Sequence, residues 1–162
     1  MSAVPYAEEL VFAPGPLRGV AASALVIASI ALVALAGVEA WQVFARYVLD
    51  APAAWTEPVA LLLLKISLML AAAVGVRHET HFRFALGAQA AGKLQPTLEA
   101  FARLVTLVVG AAFAIYGTRL MLAAWSVKAP GVALSSGLYY APFVVGGVLF
   151  VLFALERMKW RS

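Results

Sequence analysis

The chain has 162 residues, of which 64% are hydrophobic and 12% charged, with a mean hydropathy of +0.95. A soluble domain carries about 25% charged residues, so this composition excludes an ordinary soluble globular domain and points to one membrane-embedded unit. The net charge of +4 is spread thinly, without the basic stripes of a nucleic-acid binder, and the absence of cysteine excludes disulfides, thiolate metal sites, iron–sulfur clusters and a cysteine nucleophile.

Residues 1–16 hold Glu8, Glu9 and three prolines where a secretory signal would be basic. Ala34-Leu35-Ala36 imitates a cleavage site, but the apolar run before it is long enough to anchor, so an uncleaved first helix is expected. That run has 20 uncharged residues between Arg18 and Glu39. The second lies between Glu57 and Arg77 and is broken only by Lys65. The third runs from Leu104 to Val127, broken only by Arg119, and the fourth from Ala129 to Leu155 without any charge. About 20 apolar residues cross the hydrocarbon as a helix. The expected fold is therefore an all-α membrane protein, a single domain over 1–162 with four transmembrane helices at about 19–49, 57–77, 101–127 and 136–157. Continuous rather than alternating hydrophobicity argues against a strand barrel.

Lys and Arg counts set the orientation. Arg18, Arg77, Arg83, Lys93, Arg103, Arg157, Lys159 and Arg161 fall on one side, and only Arg46 and Lys128 on the other. Both termini and the middle loop are expected in the cytoplasm, with the loops around Asp50 and Gly131 outside.

Beyond the first span, Glu39 to Leu49 continues a helical pattern, with Arg46 and Asp50 at i,i+4. Trp41, Phe44, Tyr47 and Trp55 suit an interfacial aromatic belt. Pro52 breaks the chain, Thr56 is a suitable N-cap, Pro58 fits a first turn and Glu57 suits the positive helix end. His78, Glu79 and His81 share one short segment without metal-ligand spacing, so the turn from Arg77 to Arg83 is read as charged and solvated, with no metal, haem or other cofactor. An interfacial amphipathic segment is expected within 84–98. Ser135 and Ser136 suit helix capping. Catalytic residues are not expected: paired carboxylates and a Ser/His/Asp set are missing.

Two intramembrane charges need explanation. Arg119 is near enough to a helix end to snorkel. Lys65 lies about 12 Å along its helix from Glu57, and it is expected to bond helix carbonyls, an acid such as Glu39, or an acid in another subunit. The midplane otherwise holds almost only Ala, Val, Leu and Gly, which does not supply the polar groups of a substrate path. An alternative reading is a stand-alone four-helix channel or transporter acting as an oligomer.

The chain resembles the small membrane subunit, or Q subunit, of TRAP (tripartite ATP-independent periplasmic) transporters. Arg46-Tyr47-Val48-Leu49 matches the family's Arg-Tyr pair after the first helix, and Pro52 its turn. Trp55-Thr56-Glu57-Pro58 matches a Trp, one residue and then two acids, with Pro58 in place of the second acid. Arg77 and His81 match an Arg and a His four residues apart; Ser135, Ser136, Tyr140 and Pro142 match a Ser loop followed by Tyr and Pro. Ala71 stands where many relatives have Gly. The resemblance covers roughly Glu39 to Arg157. It implies a non-catalytic scaffold in a bacterial or archaeal cytoplasmic membrane, packed among lipids on a large multi-helix membrane (M) subunit that takes up organic acids with sodium. It also implies a periplasmic substrate-binding (P) protein docking outside, for which Arg46, Asp50, Glu57 and Lys128 are the candidate contacts, while Tyr47, Trp55, Arg77, His81, Tyr140 and Pro142 are structural motif residues. No nucleic-acid partner is expected.

Overall fold

The computed structural model describes residues 15–78 and 95–160. They form four long helices: α1 (Arg18–Tyr47), α2 (Thr56–His78), α3 (Gln95–Ala123) and α4 (Ala141–Trp160), with a short 3-10 helix (Ser136–Tyr140) leading into α4. All four are long and apolar enough to cross a membrane, and no strand occurs among the described residues. α3 begins before the expected Phe101, so residues 95–98, assigned above to an interfacial segment, are helix backbone. Residues 84–94 of that segment, and His81, lie outside the described residues.

The helices do not pack as a square bundle. α2 and α4 pair centrally, α1 packs on α2, and α3 packs on α4. α1 explains its own position: Ala21, Ala24, Ala28 and Ala31 recur at helical spacing and are its buried stripe, while Val26, Ile27, Ile30 and Val33 face outward. In lipid, helices associate through close backbone approach rather than water exclusion, and small residues permit it. At the Arg77 end of α2, the alanine stripe meets Leu70, Ala73, Val74 and Val76 of α2 and Phe153 and Ala154 of α4. Phe153 fills this junction completely.

Adjacent glycines let α4 serve two neighbours. A Cβ on Gly146 would lie 2.8 Å from the Met69 Cβ of α2. One on Gly147 would lie 2.5 Å from the Ala114 amide nitrogen and 2.7 Å from the Gly110 carbonyl oxygen of α3. Residues 146 and 147 point about 100° apart on the helix, so α4 is clasped on two sides.

The α1–α2 connection is tight. Asp50 has φ 51, the left-handed region that Asp tolerates better than most residues. The Ala51 amide then donates to the Ala45 carbonyl (3.0 Å), and Pro52 stops the helix from resuming. Because α1 ends at Tyr47, Asp50 lies outside the helix, and the helical i,i+4 relation of Arg46 to Asp50 is not realised. Thr56 also departs from its expected role. It is wholly buried, and its hydroxyl donates to the Ala53 carbonyl (2.7 Å).

Candidate functional site

Most of the charged side chains gather near the two ends of the helices. At the Arg77 end, Arg77 and Glu156 form an ion pair, Nε to Oε2 at 3.0 Å, with side chains only 4% and 6% exposed. The other carboxylate oxygen, Oε1, accepts from the Leu17 amide at 3.0 Å. One carboxylate thus ties the start of α1, the end of α2 and the end of α4. Arg77 is therefore not part of a solvated turn, as expected above. It points back into the helix junction, because Glu156 on the central partner α4 supplies the neutralising charge. Glu156 was missed in the sequence. The available signal was an acid ending the fourth apolar run at the membrane level where Arg77 ends the second.

At the opposite end lies a groove of about 240 Å³ lined by Leu35, Glu39 and Gln42 of α1 and Glu57, Ala60, Leu61 and Leu64 of α2. The Gln42 Oε1 is buried behind this surface without a hydrogen-bond partner among the described residues. Glu39 and Glu57 are both exposed. The groove offers two carboxylates as acceptors, with no cation among its lining residues.

Lys65 does not use Glu39 or helix carbonyls as expected. Its Nζ lies over the rings of Tyr139 (5.2 Å to the centroid), Tyr140 (5.9 Å) and Phe143 (6.0 Å). The side chain crosses from α2 to the 3-10 helix and the start of α4, where ring faces attract the cation. Such contacts stabilise a desolvated ammonium by about 2 kcal/mol, comparable to the roughly 2.5–3.5 kcal/mol cost of a central lysine on insertion scales.

Other predicted residues sit apart from these clusters. Arg46, Asp50 and Lys128 are exposed, and so are Tyr47 and Trp55. Lys128 flanks a narrow loop in which the Ala129 amide donates to Leu134 and the Ser136 amide to Val127. Ser135 anchors that loop: its hydroxyl donates to the Trp125 carbonyl (2.6 Å) and accepts from the Gly137 amide (3.1 Å). Gly131 turns the loop at φ 77, against the Ala54 carbonyl of the α1–α2 connection. Tyr140 closes the 3-10 helix beneath Lys65, and Pro142 is buried in the first turn of α4. Arg119 is exposed four residues before the end of α3, within snorkelling reach of the interface.

Four helices long and apolar enough to span, with most of their charges near the ends, define an integral membrane protein. Its buried interior is mostly alanine, valine and leucine. Residues 35–161 match the family described as "Tripartite ATP-independent periplasmic transporters, DctQ component", so the chain belongs to that family, the small membrane component of TRAP transporters. The family is a transporter component rather than an enzyme family. No curated protein matches the chain.

Proposed function

We propose that this chain is the non-catalytic scaffold subunit of a sodium-coupled TRAP transporter for organic acids. It packs on the large membrane subunit in the cytoplasmic membrane and helps to dock the periplasmic substrate-binding protein. The observation that carries this reading is the family match across residues 35–161. The packing agrees with it: α2 and α4 are bound together by small residues and by one buried ion pair, a construction suited to a fixed support. Under the charge asymmetry of the loops, the Arg77 end is cytoplasmic and the Asp50 end is outside. Arg46, Asp50 and Lys128 then form the polar outer surface offered to the soluble binding protein.

Deleting this chain while retaining the large subunit and the binding protein tests the proposal. Sodium-dependent uptake of the system's organic acid is expected to be lost and to return on re-expression. Undiminished uptake without the chain would refute the scaffold role.

A further inference from the structure

We infer that the large subunit seats a transmembrane helix along the open stripe of α2, with a Lys or Arg of that helix entering the Glu39–Gln42–Glu57 groove; this rests on the function proposed above. α2 is a central helix, and its remaining sides are taken by α1 and α4. Ala60, Ser67, Met69, Leu70, Ala73 and Val74 are buried. One strip remains open along most of its length. Glu57, Leu61, Leu64 and Leu68 recur at i+4, i+7 and i+11, and the three leucines are 45%, 44% and 59% exposed. Lys65, four residues after Leu61, borders the strip on the α4 side, and Glu39 and Gln42 border it on the α1 side. The result is a shallow trough with an apolar floor and charges on both margins.

Charge complementarity defines the occupant. The groove at the outer end of the trough presents two exposed carboxylates, Glu39 and Glu57, and no cation among its lining residues. A guanidinium carries five donors and an ammonium three, so a basic side chain neutralises and bonds both carboxylates together. Deeper in the trough, Lys65 donates no hydrogen bond to the described residues and has only ring faces, leaving its donors for an oxygen on the incoming helix. Ionisable groups within membrane segments almost always face other protein or a water-filled cavity. The outward faces of α1 and α3 along residues such as Val26, Ile30, Val33, Leu104 and Val108 carry no such demand and suit lipid, and the exposed Arg119 of α3 is within snorkelling reach of the interface.

The chain has no cysteine, so a single introduced thiol reports one position. Leu64→Cys and Leu68→Cys on the trough, with Val33→Cys on α1 and Leu104→Cys on α3 as controls, are labelled with a thiol-linked benzophenone. The labelled proteins are irradiated in membranes containing the whole transporter. Adducts with the large subunit are expected several-fold more often from the trough positions than from the controls. Glu39→Arg combined with Glu57→Arg is expected to reduce recovery of the large subunit several-fold. Equal or greater yield from the controls, or trough adducts formed with phospholipid, overturns the assigned face. Unchanged recovery with both charges reversed overturns the basic partner. If the intact chain recovers no large subunit at all, the functional reading itself fails and the inference falls with it.

Discussion

Arg77 and Glu156 lie 79 residues apart in the chain, yet their contact decides how three helices meet. Removing one member of a buried pair strands the other charge, which costs about 3–5 kcal/mol. Glu156→Ala should therefore lower stability by about that amount, and Arg77→Glu with Glu156→Arg should recover part of it. Thermal unfolding in detergent, compared across the wild type, the single variant and the exchanged pair, measures this. The pair was not legible in the sequence for a physical reason. A charge ending an apolar run looks the same whether it enters water or turns inward, and the difference depends on α2 and α4 being neighbours. Lys65 was legible as an anomaly but not in its solution, because Tyr139, Tyr140 and Phe143 reach it only through the same adjacency.

Helices were easier to read than contacts, because uninterrupted apolar length is a local property. Each of the four runs became a spanning helix. Their ends followed local chemistry: α1 stops ahead of the left-handed Asp50 and of Pro52, and the loop before α4 folds on Ser135. Gly146 and Gly147 are recognisable in the sequence as packing residues, but their neighbours are not. The structure assigns Gly146 to α2 and Gly147 to α3. A side chain at Gly147 meets backbone atoms that cannot move aside without separating the helices. Gly147→Val is expected to destabilise the α3–α4 pair by about 1–3 kcal/mol, the usual range for overpacking. Val148→Ala, at an exposed position one residue on, should change stability much less. Detergent unfolding midpoints of the two variants check the contrast.

For the whole molecule, two sets of charges matter. The proposed orientation, drawn from the loop and tail cations, has both termini in the cytoplasm. A fluorescent protein that matures only in the cytoplasm should therefore be bright when fused after Ser162, and alkaline phosphatase at the same place should be inactive. The acids and the lysine bordering the trough of α2 are a separate set, left on the surface by a fold that buries little of its apolar area. Their position suits a subunit completed by another membrane protein. The most direct test is recovery of the tagged chain in mild detergent from cells expressing the complete system, followed by identification of what accompanies it. A large multi-helix membrane subunit recovered in fixed proportion to this chain is the predicted result; recovery of the chain alone, with uptake intact in cells that lack it, would contradict the account.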